Sequence, residues 1–249
     1  MAGHSKWANI KHRKAGQDAK RGKIFTKLIR EITVASRLGG EAIADNPRLR
    51  VAVDKALAAN MTRDTIDRAV ARGAGTADSD NLEELVYEGY GPGGVAVYVE
   101  TLTDNKNRTV ADIRHGFSRF GGSLGTNGSV AYLFDKTGII TYDPGSDEDK
   151  ILELALEAGA HDVKVNDDDS IDVMTTLETF GAAQDALAGG GMKPANAEVV
   201  MLASTEVELD LETAAQVINL TDHLDDLDDV QSVYSNASIS DEIMGRLNE

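Results

Sequence analysis

The chain of 249 residues contains no cysteine, which excludes a disulfide framework, a thiolate metal site and a cysteine nucleophile. Long apolar runs are also missing: none approaches the roughly 18 residues that a membrane span requires. No membrane partner is therefore expected. The opening Met1-Ala2-Gly3-His4-Ser5-Lys6 lacks the apolar core of a secretory leader, so a cytoplasmic protein is expected. Aromatic residues make up only 5% of the chain, and Trp7 is its single tryptophan. Catalytic signatures are equally sparse. Gly89-Tyr90-Gly91-Pro92-Gly93-Gly94 lacks the Gly-Lys-Ser/Thr ending of a phosphate-binding loop, and Gly122, Gly125 and Gly128 are wrongly spaced for a dinucleotide fingerprint. His-Glu-x-x-His does not occur. The run Asp167-Asp168-Asp169 has neither the glycine nor the distal glutamate of a calcium loop and reads as a hairpin tip. His223 with Asp222, Asp225 and Asp226 has the donors for a divalent metal, yet acidic stretches of this kind ordinarily face solvent. No catalytic residue, cofactor, metal or small-molecule substrate is assigned.

What is present is a globular composition, 41% hydrophobic and 27% charged, with the two signs of charge kept apart. Residues 1–75 hold 16 Lys and Arg against 7 Asp and Glu; the remainder holds 9 against 35. The total of −17 is therefore a basic segment of +9 joined to an acidic body of −26. Most of the excess is earlier still, with 10 basic and 2 acidic residues in the first 40. Charging for solubility alone would not segregate the signs, whereas a polyanion-binding module attached to a self-repelling body would.

Within the basic segment, residues 16–37 carry a helical pattern: Phe25, Leu28, Ile29 and Ile32 recur at i, i+3, i+4 and i+7 and define a buried face. On the opposite side Lys20, Lys23, Lys27 and Arg30 line up over roughly 15 Å of helix, with Arg21 alongside. Their axial spacing of about 4.5 to 6 Å is comparable with that of successive phosphates. Upstream, Lys6, Lys11, Arg13 and Lys14 surround Trp7 and His12 without a sustained period. A ring among cations can stack on an unpaired base while the cations hold its phosphates, or it can simply pack onto the helical module. Asn46-Pro47 opens a second helix whose buried face is Leu49, Val53, Ala56 and Leu57. A third starts at Thr62, with Met61 stapled to Ile66 and Gly73 as a left-handed stop. Two helices across a short connection are also the skeleton of a helix-turn-helix, but Arg63, Arg68 and Arg72 set against Asp64 and Asp67 make a weak recognition face.

From Leu82 short strands alternate with helices. A strand at 95–100 and a helix at 107–120 come first. They are followed by a strand-turn-strand at 129–134 and 138–142, a helix at 147–158 and two strands meeting near Asp168. A helix at 179–188 and a strand at 198–203 complete a strand-helix-strand-strand-helix-strand order, the split βαβ arrangement of ferredoxin-like folds. A helix at 211–220 and a strand at 230–234 would complete what began at Leu82. The expected fold is α+β: an N-terminal three-helix bundle (1–77), an α+β domain (78–128 plus 204–249), and a ferredoxin-like domain (129–203) inserted in it. In this cation-poor body, Thr103-Asp104-Asn105-Lys106-Asn107-Arg108-Thr109 at a helix start, with Arg114 and Arg119 beyond it, is either a second phosphate contact through Lys106, Arg108 and Arg114 or a helix cap supplied by Asn105 or Asn107.

The runs 2–14, 18–23 and 25–32 closely resemble the opening of the YebC/PmpR family. The stretches 87–94, 103–109 and 121–130 resemble its second-domain signatures, so the resemblance covers essentially the whole chain. It implies three domains and two competing roles. Many members are described as DNA-binding transcriptional regulators. Others, including mitochondrial translational activators, resemble ribosome-associated factors that help synthesis through consecutive prolines. Neither role involves a known catalytic residue. The expectation is a non-enzymatic nucleic-acid-binding protein with ribosomal RNA as the favoured partner and duplex DNA as the alternative.

Overall fold

A computed structural model describes residues 21–75, 82–166 and 168–247. The protein is α+β, and its described residues form two compact units.

The first unit takes in residues 21–131 and 215–235. Its helices α1 (Arg21–Gly39), α2 (Pro47–Ala58) and α3 (Arg63–Ala74) enclose one apolar core. Ile32, Leu49, Val53, Ala56, Met61 and Ile66 are buried there, with Phe25, Leu28, Ile29 and Leu57 packed against them. The predicted caps form: Asn46 accepts from the Leu49 N–H at 3.0 Å, and the Thr62 side chain caps α3. Gly73 differs from expectation. It lies inside α3, not beyond its end, and a Cβ there would collide with the Thr33 carbonyl. The residue is small because α1 and α3 approach so closely, and Ser36 Oγ donates to the Val70 carbonyl at 2.8 Å in the same contact.

The same unit contains β1 (Glu83–Tyr90), β2 (Ala96–Thr103), α4 (Lys106–Arg119) and β3 (Ser123–Leu124). After a long excursion of the chain it regains the last part of α7 (Leu211–Asp225) and β9 (Val230–Ser235). The sheet order is β3-β1-β2-β9, with β1 and β2 in an antiparallel hairpin and β9 antiparallel to β2. Val97, Val99, Ile113, Phe117, Leu220, Leu224 and Val233 are buried in this part of the unit. Two kinds of contact join the bundle to the sheet. Val34 packs with Leu82 and Leu102, while Arg37 donates to the Leu82 carbonyl at 2.7 Å. Arg48 adds a bridge from Glu31 on α1 to Glu84 on β1, at 2.6 and 2.5 Å.

The second unit takes in residues 132–214 and 236–247. Here β4 (Phe134–Tyr142), α5 (Glu148–Glu157), β5 (Asp162–Val165), β6 (Ile171–Thr175), α6 (Leu177–Gly189) and β7 (Asn196–Ala203) follow the ferredoxin-like order, and the antiparallel sheet runs β5-β6-β4-β7. The expected turn before Gly138 is absent: β4 passes straight through it. A Cβ at 138 would strike Thr175 Oγ1 and the Phe180 ring, so the glycine marks helix α6 pressing on the strand. Short strands β8 (Val207–Glu208) and β10 (Ala237–Ser238) pair in parallel in this unit, and α8 (Asp241–Leu247) ends the described chain. Residues 204–214 and 236–247 thus pack with the ferredoxin-like elements, while 215–235 rejoin the β1–β2 sheet.

Candidate nucleic-acid interface

Helix α1 has two faces because its sequence has two. The apolar side enters the bundle core; the other carries Lys23, Lys27 and Arg30 in steps of about 6 and 4.5 Å along the axis. Opposite them, in the same unit, is the turn that joins the C-terminus of α7 to β9, with sequence Asp225-Asp226-Leu227-Asp228-Asp229. Lys27 Nζ donates to the Asp225 carbonyl at 2.7 Å and pairs with its carboxylate at 3.0 Å. Lys23 Nζ donates to the Asp226 carbonyl at 2.7 Å. Arg30 donates to the Asp228 carbonyl and reaches the Asp229 carboxylate at 3.3 Å.

The physical reason lies in the helix end. The last carbonyls of α7 have no partner within the helix and carry its negative end, and the acidic side chains placed there add repulsion. Ammonium and guanidinium groups answer both demands. Lys27 and Arg30 retain only 16% and 24% of their side-chain exposure, and Lys23 stays exposed. Two clefts flank the contact, of about 170 and 260 Å³. Both fall short of the roughly 300 Å³ at which small-molecule sites usually begin.

Asp229 is the centre of a second cluster. Its buried carboxylate accepts from Thr109 Oγ1 at 2.8 Å, Thr103 Oγ1 at 3.2 Å and Arg108 Nη2 at 2.8 Å, besides Arg30. Arg108 also pairs with Asp104 at 2.7 Å. The hydrogen bonds that Arg108 donates to these two carboxylates, Asp229 first, raise its pKa still further. The stretch 103–109 is therefore tied largely to its own unit. Asn105 caps α4 through the Arg108 N–H at 3.1 Å, and Thr103 Oγ1 accepts from the Asn105 N–H at 2.9 Å. Lys106 and Arg114 are exposed on α4 and make no ion pair among the described residues. Arg119 lies 5.3 Å from the centre of the Phe120 ring.

Of the predicted contact residues, the structure brings together Lys23, Lys27 and Arg30, and separately ties Arg108 to Asp229. Lys6, Trp7, Lys11, His12, Arg13, Lys14 and Lys20 lie outside the described residues, as does the side chain of Arg21. Among the described residues no cluster of potential metal ligands occurs, and no helix is long and apolar enough to cross a membrane. His223 instead packs against the Phe120 ring at 5.2 Å. Burial lowers its pKa, with help from the positive charge of Arg119 and from His115.

Glu88 had no sequence signal. On β1 and buried, it accepts the backbone N–H groups of Gly128, Val130 and Ala131 at 2.7 to 2.8 Å and so fixes the loop after β3. Burial pushes its carboxyl up, but the three donors outweigh that and hold it below the usual value of 4.5. The role of Asp229 was equally hidden. The available hint was an excess of aspartates at the wrong end of a helix.

Comparison with known proteins agrees with this architecture. Residues 5–76 match the model of the TACO1/YebC protein N-terminal domain, and residues 82–237 match that of the TACO1/YebC second and third domain. The transcriptional regulatory protein PmpR of Pseudomonas aeruginosa is 65% identical over 99% of this chain and 100% of its own length. A probable transcriptional regulatory protein of Photorhabdus laumondii is 63% identical over the same shares. A crystal structure of a conserved hypothetical protein from Aquifex aeolicus superposes with a TM-score of 0.80 at 44% identity, covering 91% of this chain and 94% of that one. With two domain models spanning nearly its whole length and relatives this similar end to end, the chain belongs to the TACO1/YebC family.

Proposed function

We propose that this protein is a non-enzymatic regulator of gene expression that acts by binding nucleic acid through its basic N-terminal module. The observation that carries the reading is the segregation of charge, +9 in the first 75 residues against −26 in the rest. Cations concentrated in one module give a phosphate polymer a place to bind, and the acidic body repels it elsewhere. The names of the relatives, transcriptional regulatory proteins, support a role in gene expression.

The partner favoured here is structured RNA on the ribosome, where the protein would act as a translation factor that relieves stalling, for example at consecutive prolines. Trp7 among Lys6, Lys11, Arg13 and Lys14 suits an unpaired base with its phosphates. Lys106 and Arg114 on α4 supply a second, smaller cationic surface. Sequence-dependent binding to duplex DNA is the second reading, favoured by the relatives' names. Against it, the exposed arginines of α3 are interspersed with acids, and Arg68 is spent on Asp64 at 2.8 Å.

Co-sedimentation of the full chain with ribosomes tests the choice. Binding that disappears when Lys20, Lys23 and Lys27 are changed together to Glu, while a cooperative thermal transition persists at a midpoint lowered by the loss of the Lys27–Asp225 pair, is the expected result. Sedimentation that survives the triple change overturns the RNA reading. A specific over non-specific DNA affinity ratio above about 10³ at physiological salt would establish the DNA reading in its place.

A further inference from the structure

We infer that the turn Asp225–Asp229 is an autoinhibitory latch: it occupies the phosphate-binding cations of α1 and must be displaced before Lys23, Lys27 and Arg30 can engage nucleic acid. The inference rests on the nucleic-acid reading above and adds its regulation.

Three observations converge on it. First, the turn satisfies these cations as a phosphate backbone would. Backbone carbonyls and carboxylates are set at successive positions opposite Lys23, Lys27 and Arg30, at 2.7 Å to the Asp226 carbonyl, 3.0 Å to the Asp225 carboxylate and 3.3 Å to the Asp229 carboxylate. Second, the turn is in local conflict without its partner. Asp222, Asp225, Asp226, Asp228 and Asp229 crowd the negative end of α7, where acidic side chains destabilise a helix and cations stabilise it. A helix selected only for its own stability would carry the opposite charges there. Third, the contact is shallow. Lys23 is exposed, Asp228 is exposed, and the clefts on either side are open to solvent between the same residues. A polyanion can thus approach the ladder edge and exchange with these carbonyl and carboxylate acceptors stepwise, without the bundle core being opened.

Asp229 is the fixed pivot of this arrangement, because Thr103, Thr109 and Arg108 hold it independently of α1. The exchangeable contacts are the Asp225 carboxylate and the main-chain carbonyls of Asp225, Asp226 and Asp228. The latch therefore raises the threshold for binding: weakly or randomly placed phosphates cannot outcompete it, while a site that also engages the residues before α1 can.

The test uses the full chain and two probes, a fluorescein-labelled RNA hairpin with single-stranded flanks and a labelled DNA duplex, at physiological salt. Asp225→Asn, Asp226→Asn and Asp228→Asn together, which remove the Lys27–Asp225 ion pair and the negative charge around the carbonyl contacts of Lys23 and Arg30, should tighten hairpin binding about tenfold and steepen the salt dependence by about one unit. The comparison variant Asp149→Asn, Glu153→Gln and Asp185→Asn changes net charge equally in the ferredoxin-like unit and should change affinity less than about twofold. Adding Lys23→Glu, Lys27→Glu and Arg30→Glu to the released variant should abolish the gain. Equal binding by the native and released chains, an equal gain in the comparison variant, or a gain that survives loss of the ladder overturns the latch and leaves the functional reading standing. Failure of every variant to bind either probe overturns the functional reading itself, and the latch with it.

Discussion

Two cation-bearing helices of the first unit, α1 and α4, present their charges in opposite ways. The ladder on α1 is met by carbonyls and carboxylates of an acidic turn, whereas Lys106 and Arg114 on α4 are exposed with no carboxylate paired to them among the described residues. Both helices are amphipathic and both lie in the same unit. The difference is what stands opposite: for α1 it is the C-terminal end of another helix, which needs cations. Positive charge in a sequence therefore marks a candidate phosphate site, but the number of contacts available at once depends on which charges the fold has already used.

Breaking the paired side of this comparison should have the largest effect. Asp229→Ala removes a buried acceptor from Arg30, Arg108, Thr103 and Thr109, and should destabilise the first unit by about 3 to 5 kcal/mol, read from chemical denaturation. A loss below about 1 kcal/mol would mean that the cluster is held elsewhere. The unpaired side should respond in the reverse sense. Lys106→Glu with Arg114→Glu should leave stability within about 0.5 kcal/mol of the native value while weakening RNA binding about tenfold in a fluorescence titration. An unchanged affinity would remove α4 from the interface.

The smallest effect sharpens the contrast between a carboxylate held by cations and one held by backbone. The Glu88 carboxyl sits below its usual value of 4.5 in the folded protein, so its contribution is complete above about that pH and is lost as pH falls through the folded value. Glu88→Gln should cost about 1 to 2 kcal/mol at neutral pH and should flatten the acid limb of the stability profile. Identical acid limbs for the two proteins would show that the three N–H donors do not set the protonation of this group.

Much of the fold was legible because its signals are local. The apolar stripe of Phe25, Leu28, Ile29 and Ile32, the caps Asn46 and Thr62, and the alternation of elements after residue 129 are each written within a few turns or strands. Glycine was the weak point. Gly73 and Gly138 resemble stops or turns in sequence, yet each is small because another element crosses it, Thr33 on α1 in one case and Phe180 on α6 in the other. The site was legible only on one side. The α1 ladder has a period, but its partner Asp225 lies 198 residues from Lys27, and no local pattern connects them. For the same reason Arg108 reads as a free cation in sequence, although Asp229, 121 residues away, holds it.

Cross-linking of the full chain to nucleic acid in living cells, followed by mass-spectrometric mapping of the modified peptides, tests the central claim most directly. The expected result is RNA adducts concentrated in residues 5–30, with a lesser set on the 106–119 helix. Adducts confined to residues 132–203, or none on the basic module, would contradict the account.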